Sequence, residues 1–327
     1  MSRRERERLM EDKGRNAVYI GEETVRAKVV CSCAGGFVEP NAWPHHIPGP
    51  GDFKGDICHT ARWNPNINFH DKDVIVVGSG CSAAQVVPQL LKVPYKAKSV
   101  TQVMRSPPWV VPRPIPPIVS EKQWEQWSGW LFTRFPIMAR LVRFAIFLTQ
   151  EKLFFDVFSQ SPRAFRKRSE RENWLLQHLK QTAPEEYWDI LRPNYSVGCK
   201  RQIYDAYWFP SLNDPRIKLT TRRLVSVQAL GVTLGPVHDA QSKARNVDHV
   251  RSGSDSVEVP ANVIVLANGF EVQTWLAPTR IVGRSGQELQ QVWNDRGGAQ
   301  AYLGVAHDGF PNFFTIFGPN TATGHSR

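Results

Sequence analysis

The sequence predicts an α/β fold built on a doubly wound parallel sheet that is interrupted by a helical insertion. Three consecutive segments carry this prediction. An apolar run from Asp73 to Val77 enters a glycine-rich turn, residues 83–92 have helical character, and Ser99 to Met104 are predicted to form a second strand. A strand, a turn, a helix and a strand in this order are typical of a β-α-β unit in a parallel sheet.

Helical spacing replaces the strand pattern between Trp124 and His178, where apolar and aromatic residues are interrupted by arginines. This periodicity predicts a helical insertion that packs over the sheet, and the alternative is an amphipathic helix lying on a membrane surface. Strand signals resume at residues 217–233 and 263–267. They also precede the β-α-β unit, at residues 17–34, where they end in a glycine turn.

Composition and charge limit the class of protein. The 327 residues are 41% hydrophobic, enough for at least one sizeable core, and no apolar stretch approaches the length of a membrane span. A charged first segment without a signal-peptide pattern predicts a cytoplasmic location. The net charge of +11 is scattered, and no recognisable nucleic-acid-binding motif accompanies it. A site for a phosphate-bearing cofactor is therefore favoured over nucleic acid or anionic lipid.

Five cysteines without a secretory signal predict reduced thiols rather than a disulfide framework. Cys31 and Cys33 lie too close together for the usual zinc spacing, and a Cys-x-Cys sequence on a strand more often fills buried positions. We therefore expect these two thiols to be buried and expect no metal site.

Residues 78–83, Gly-Ser-Gly-Cys-Ser-Ala, fit the dinucleotide-binding fingerprint with alanine in the last glycine position. Gly78 permits the tight turn, Gly80 lets a diphosphate approach the backbone, and the small Ala83 lets the helix pack closely on the strand. The amino terminus of the helix then supplies free N–H donors and the positive end of the helix dipole. The predicted cofactor-binding turn also contains Ser79, Cys81 and Ser82.

The end of the next strand distinguishes the two nicotinamide cofactors. A carboxylate there would accept hydrogen bonds from the ribose hydroxyls of NAD, whereas this sequence has Arg105 followed by Ser106. An arginine suits the 2′-phosphate of NADPH, so the sequence predicts NADPH. The alternative is a surface arginine that binds no ligand.

The segment from Phe53 to Trp63 has the form F-x-G-x3-H-x3-W and lies a short distance before the fingerprint. It resembles the fingerprint of Baeyer–Villiger monooxygenases, a branch of the flavin-dependent monooxygenases. Related enzymes that oxidise nitrogen and sulfur usually end this motif in tyrosine, so Trp63 favours the Baeyer–Villiger branch. The resemblance implies that His59 and Trp63 couple the linker between domains to the position of the cofactor.

The resemblance extends through most of the chain. The segment containing Arg105 and Ser106 is similar to the family's binding segment for the NADPH 2′-phosphate. Residues 195–201 resemble its G-[CT]-K-R segment, which implies that Lys200 supports phosphate binding and that Arg201 is the catalytic residue stabilising a flavin peroxide. An arginine suits that role because it keeps its charge. The remaining matching segments are the strand end that contains Asn268, a predicted cofactor-binding residue, and residues 302–305, 309–313 and 318–325.

Members of this family begin with a glycine-rich segment for the FAD diphosphate, and nothing before Val29 resembles it. We therefore expect an incomplete FAD-binding domain in a chain shortened at both ends. The expected divisions are a remnant of the FAD-binding domain with the linker at 1–52, a Rossmann-like NADPH-binding domain at 53–120 and 196–262, a helical insertion at 121–195, and a return to the FAD-binding portion at 263–327.

The resemblance implies an enzyme that uses FAD and NADPH to insert one oxygen atom of O2 into a small organic molecule, converting a ketone into an ester. Oxidation of nitrogen or sulfur is the alternative within the enzyme class, and a catalytically inactive NADPH-binding remnant is the alternative outside it. No nucleic-acid partner and no stable membrane span are expected, and weak association with a membrane surface stays open. The sequence predicts neither the substrate nor the oligomeric state.

Overall fold

The computed structural model describes residues 24–113, 121–205, 207–237, 255–272 and 274–321. The strands of these residues are β1 (Val30–Ser32), β2 (Asp56–His59), β3 (Asp73–Val77), β4 (Ser99–Val103), β5 (Val110–Val111), β6 (Ile203–Tyr204), β7 (Ile217–Thr220), β8 (Arg222–Gln228), β9 (Gly231–Val237), β10 (Val257–Pro260), β11 (Val263–Leu266) and β12 (Phe313–Thr315). The helices are α1 (Cys81–Leu90), α2 (Glu121–Arg134), α3 (Pro136–Phe158), α4 (Pro162–Thr182), α5 (Trp188–Leu191), α6 (Trp208–Ser211) and α7 (Leu289–Asp295), with a 3-10 turn at Glu185–Tyr187.

Five parallel strands form the central sheet in the order β2, β11, β3, β4, β7. The cores of β3 and β11 are runs of valine, isoleucine and leucine, and nearly all of these side chains are buried. Continuous apolar strands of this kind are typical of parallel sheets that are covered on both faces. The predicted succession of strand, helix and strand is confirmed as β3, α1 and β4, and β4 lies beside β3 in parallel register.

Each face of the central sheet has its own cover. On one face, Ala83, Ala84 and Val87 of α1 are completely buried in a cluster that also contains Trp208. On the other face, the antiparallel strands β8, β9 and β10 form a small sheet whose apolar side chains pack against the central strands. Because β4 lies on one side of β3 and β11 on the other, a crevice at the carboxyl ends of these strands coincides with the point where the strand order reverses.

The helical insertion consists of α2, α3 and α4, and its helices bury very different amounts of apolar surface. Leu179 of α4 is buried in the same cluster as α1, so this helix reaches the sheet as expected. Among the 23 residues of α3, in contrast, Val157 is the one that is fully buried. The expectation that the whole insertion packs over the sheet is therefore wrong for most of α3, whose apolar residues lie all around the helix rather than along one face.

The two ends of the described chain meet in a short parallel pair, in which Val30 of β1 lies opposite Phe313 of β12. Within the described residues, β1 is the one strand in the predicted region 17–34, and residues 17–23 lie outside the description. Cys31 and Cys33 are exposed, so the expectation that they are buried is wrong. The reason is that β1 belongs to a two-stranded pair rather than to the interior of a sheet.

The expected return to the FAD-binding portion at 263–327 begins with β11, which lies between β2 and β3 in the central sheet. Its four apolar residues belong to the same core as β3. The predicted motif at 318–325 lies only partly within the described residues. None of the described helices is long and apolar enough to cross a membrane.

Candidate functional site

The turn between β3 and α1 requires glycine at its first position. Gly78 has a φ of +129°, and a Cβ atom there would collide with the carbonyl oxygen of Ala267 at the end of β11. The Gly78 N–H donates to the carbonyl of Val103, 2.9 Å away. The turn is therefore held close to the ends of both neighbouring strands, and a side chain at this position would disturb that contact.

Gly80 has the opposite environment. A Cβ atom at this position would have no other atom within 4 Å, so the backbone faces open space. Gly80 is also the N-cap of α1, and no side chain caps this helix. The first-turn N–H groups of a helix lack partners within the helix, and they attract anions. The turn consequently offers an open backbone surface and free donors to a negatively charged group.

A groove of about 1090 Å³ lies at the carboxyl ends of β3, β4 and β11. The turn residues Gly78, Ser79 and Gly80 form part of its wall, and residues 44–48 and β8 contribute other parts. Three arginines also line the groove: Arg105, Arg222 and Arg223. A groove with these cations beside an uncapped helix terminus suits a ligand that carries several phosphate charges.

The three arginines differ in how firmly they are held. Arg222 donates to the carbonyl oxygens of Gly235 and Asp255, at 3.1 and 2.6 Å, and pairs with the Asp255 carboxylate. Arg105 and Arg223 are exposed at the groove. Arg105 follows β4, as the sequence predicts, and its neighbour Ser106 accepts a hydrogen bond from the Ser79 hydroxyl through its carbonyl, at 2.9 Å. This bond connects the arginine-bearing loop to the glycine turn.

Lys200 and Arg201 line a second, smaller cavity of about 270 Å³ rather than the groove. Its wall also includes Cys81 and Gln85 of α1 and several residues of α3. The Lys200 ammonium lies 4.5 Å from the centre of the Tyr195 ring, a distance typical of a cation–π contact. The structure therefore places Lys200 and Arg105 in different cavities, which flank the first turn of α1 from two sides.

His59 and Asn268 lie at the carboxyl ends of the neighbouring strands β2 and β11. The His59 ring packs edge-on against Phe270, with ring centres 6.1 Å apart. Burial lowers the pKa of His59, while the nearby Asn268 side chain and the Gly269 backbone oppose this change. The neutral form of His59 is therefore favoured in the folded chain.

Asn268 also connects the strand end to the segment before β2. The Asn268 Nδ2 donates to the carbonyl of Ala42 at 3.2 Å, and the Asn268 backbone carbonyl accepts from the Asn41 side chain at 2.9 Å. Asn268 lines the groove, whereas His59 lies next to it without lining either cavity. Together with the Asn41 N–H bond to Gly269, these contacts hold the linker against the end of β11.

Trp63 is part of the apolar interior rather than of either cavity. Its ring stacks on Phe69 with centres 5.2 Å apart and meets Tyr95 edge-on at 5.7 Å. It packs against the core cluster that also contains α1. Any effect of Trp63 on a ligand would therefore pass through this packing. The remaining predicted turn residues differ in exposure, since Ala83 is completely buried while Cys81 and Ser82 are partly exposed.

The groove residues Arg222 and Arg223 were not predicted from the sequence, because they belong to the strand signal at residues 217–233 and carry no motif of their own. Gln102, a fully buried amide within the strand β4, was not predicted either. The available signal was the glutamine itself, since a polar residue inside a buried strand needs hydrogen-bond partners. No cluster of metal-binding side chains occurs among the residues that the structure describes.

Residues 14–143 match the family model described as flavin-binding monooxygenase-like. Over these residues the chain is similar to the flavin-binding monooxygenases. This confirms the family resemblance that the sequence motifs predict, and the matched range includes the segment 53–63 and the glycine turn.

Curated relatives extend the similarity over most of the chain. An FAD-binding monooxygenase of Aspergillus niger is 31% identical over 281 residues, which cover 86% of this chain and 41% of that protein. A Baeyer–Villiger monooxygenase of Streptomyces coelicolor is 29% identical over 308 residues, which cover 93% of this chain and 52% of that protein. The chain thus spans about half the length of the curated relatives that it matches.

Solved structures share the fold. A crystal structure of OTEMO in complex with FAD and NADP superimposes with a TM-score of 0.64 at 21% identity, covering 91% of this chain and 57% of that one. An oxidised steroid monooxygenase bound to NADP gives a TM-score of 0.60 at 22% identity, covering 88% of this chain and 56% of that one. At this identity the likeness shows a common α/β fold with a parallel sheet.

Proposed function

We propose that the groove binds NADPH and that the chain forms the NADPH-binding part of an FAD- and NADPH-dependent monooxygenase of the Baeyer–Villiger type. The carrying observation is the pairing of an open glycine turn at an uncapped helix with an exposed arginine after the next strand. The names of the curated relatives support the same activity, since they include FAD-binding and Baeyer–Villiger monooxygenases.

Residues in and around the groove have different proposed roles in binding. The N–H groups at the start of α1 hold the diphosphate, and Gly80 lets it approach the backbone. Arg105 binds the 2′-phosphate of the adenosine ribose, with Ser106 in the same loop. Lys200 and Arg201 place positive charge on the other side of the α1 terminus, and Asn268 holds the linker beside the groove, with His59 at the neighbouring strand end. Trp63 supports this arrangement through the core.

The described residues contain a binding turn for one dinucleotide cofactor. Within the described ranges, β3 and α1 form the one place where a strand leads through a glycine turn into a helix, so these residues fit one dinucleotide, and we assign it as NADPH. Bound FAD would supply the oxygen chemistry in the whole enzyme. The organic substrate, the use of O2 and a cytoplasmic location stay predictions, as does the division of the chain into a bipartite NADPH-binding domain, an insertion and FAD-binding portions.

The test is a comparison of NADPH and NADH titrations on the purified chain and on Arg105→Gln. We expect the chain to prefer NADPH. The substitution should weaken NADPH binding by about 10-fold to 100-fold and leave NADH binding unchanged, because one charge-assisted hydrogen-bonding contact contributes about 1.5–3 kcal/mol. Arg216→Gln is the matched control, since Arg216 pairs with Asp214 and precedes the amino end of β7, whereas the groove lies at the carboxyl ends of the strands.

Two outcomes would contradict the proposal. One is a chain that binds neither nucleotide, and the other is an equal loss of NADPH and NADH binding in Arg105→Gln. The reaction class needs a separate measurement, in which the chain is supplied with FAD, NADPH, O2, a ketone and a sulfide. Ester formation supports the Baeyer–Villiger assignment, whereas sulfoxide formation alone would assign the chain to heteroatom oxidation.

A further inference from the structure

We propose that Gln102 is a positioning residue for the nucleotide-binding turn, and that a buried chain of hydrogen bonds connects this turn to the helical insertion. This inference rests on the proposed NADPH site, because it assigns a role to residues behind that site. The chain of bonds runs from Gly78 through Gln102, Trp208 and Asp205 to His178.

Gln102 is the fourth of the five residues of β4 and exposes 0% of its surface. Its register neighbours in the adjacent strands are Val76 and Leu219, so the sheet has apolar residues at this level on both sides. An apolar side chain would serve the packing of β4 at least as well, because a buried amide is costly unless it is hydrogen-bonded. The presence of an amide at this buried position therefore indicates that its hydrogen bonds have a function.

The two bonds of Gln102 determine the orientation of its amide. The Gln102 Nε2 donates to the carbonyl of Gly78 at 2.9 Å, and the Oε1 accepts from the indole N–H of Trp208 at 2.8 Å. An indole N–H can only donate and a backbone carbonyl can only accept. Trp208 thus forces the amide oxygen towards itself and directs the amide nitrogen to Gly78, and the reverse orientation would lose both bonds.

This orientation fixes the peptide plane at the start of the turn. The Gly78 N–H is bonded to Val103 and its carbonyl to Gln102, so β4 holds both sides of this residue. In a trans peptide the next N–H points opposite to the carbonyl, so the Ser79 N–H is directed away from Gln102. The direction of a donor in the turn is then set from the interior of the protein before any ligand arrives.

The chain of bonds continues into the insertion. Asp205 is buried, and its Oδ1 accepts from the backbone N–H of Trp208 at 2.8 Å, which holds the start of α6. Its other oxygen, Oδ2, lies 3.1 Å from the Nε2 of His178 in α4. In the tautomer that carries its proton on Nε2, His178 donates to this oxygen. A shift of α4 would therefore move Asp205 and the indole that orients Gln102.

Two tryptophan substitutions of equal chemistry test the proposal. Trp208→Phe removes the indole N–H that orients Gln102. Trp293→Phe removes an equally buried indole N–H that donates to the carbonyl of Gln300 at 2.7 Å within the separate cluster near α7. Both variants should unfold at lower temperature than the wild-type chain. Trp208→Phe alone should weaken NADPH binding, by about fivefold, the size of one neutral hydrogen bond.

A second variant keeps the proposal testable if Trp208→Phe does not fold. In Gln102→Glu, a protonated carboxyl can still donate to Gly78 and accept from Trp208, whereas the ionised form cannot donate. The NADPH affinity of this variant, relative to that of the wild-type chain at the same pH, should rise as the pH falls. A structural role without positioning would leave that ratio constant.

The outcomes separate this inference from the proposed function. If the wild-type chain binds no NADPH, both fail together. If the wild-type chain binds NADPH and the two tryptophan variants bind it equally well, or the Gln102→Glu ratio does not change with pH, only the positioning role is overturned. Selective weakening in Trp208→Phe, together with a pH-dependent ratio in Gln102→Glu, supports it.

Discussion

Strand β3 and helix α3 are both strongly apolar, yet they lie in opposite environments. Val74, Ile75 and Val76 of β3 expose 1% of their surface or less, whereas Leu141 and Phe144 of α3 expose 60% and 59%. The strand lies between two layers that cover both of its faces. The helix carries apolar side chains around its whole circumference, so its contacts with neighbouring helices leave most of them open. Apolar content therefore predicts an element more reliably than it predicts the burial of that element.

The largest contrast is expected between two identical substitutions within the insertion. Leu175 of α4 exposes 2% of its surface, and Leu141 of α3 exposes 60%. Leu175→Ala should lower the free energy of unfolding by about 2–5 kcal/mol, because it leaves a cavity in a packed cluster. Leu141→Ala should change it by less than about 0.5 kcal/mol. Denaturant unfolding of both variants measures the difference, and equal losses would show that α3 is covered.

A second pair compares the closed and the open side of the glycine turn. Gly78→Ala forces a side chain into positive φ and against Ala267, so we expect a loss of about 1–3 kcal/mol of stability and weaker nucleotide binding. Gly80→Ala places its methyl group in open space at an ordinary φ of −76°. Its stability should stay within about 0.5 kcal/mol of wild type.

The methyl group of Gly80→Ala nevertheless occupies the space through which a diphosphate would approach. NADPH binding should therefore fall in a variant whose thermal unfolding is unchanged. Isothermal titration with NADPH, combined with a melting curve, separates the two effects. Full NADPH affinity in Gly80→Ala would contradict the approach of the diphosphate on the open side of the turn.

The smallest expected effect concerns pH and the cluster near α7. Burial is the main cause that lowers the pKa of His307 from its ordinary value of 6.5, and a backbone contact with Gln300 opposes it. Between the lowered pKa and 6.5 the unfolded chain binds more protons than the folded chain, so stability falls as the pH drops below about 6.5. His307→Gln should show a shallower loss in acid unfolding curves. If the loss of stability with falling pH is the same in His307→Gln and in the wild-type chain, His307 does not contribute to it.

The sequence predicted the parts of the site that depend on local order. The turn at residues 78–83 and the position of Arg105 after β4 follow from an apolar run, two glycines and a short spacing, which act over neighbouring residues. The contributions of Arg222 and Arg223 could not be read in this way, since they depend on how an antiparallel sheet packs across the central one. Gln102 and Trp208 are likewise distant in sequence, and their pairing appears only when the chain is folded.

The placement of Lys200 and Arg201 shows the same limit. Motif resemblance assigned Lys200, like Arg105, to NADPH phosphate binding and Arg201 to a flavin peroxide, whereas the fold places Lys200 and Arg201 together in a second cavity. Lys200 and Arg201 come just before β6, which pairs in parallel with β5, so that residues 203–204 lie beside residues 110–111. The exposure of α3 was not predicted either, because helical spacing reveals a helix without revealing its neighbours.

The most direct test of the central claim is a crystal structure of this chain grown with NADP⁺. The account predicts the diphosphate against the turn at residues 78–83 and the 2′-phosphate within hydrogen-bonding distance of the Arg105 guanidinium. A nucleotide bound elsewhere, or one in the groove whose 2′-phosphate lies away from Arg105, would contradict it.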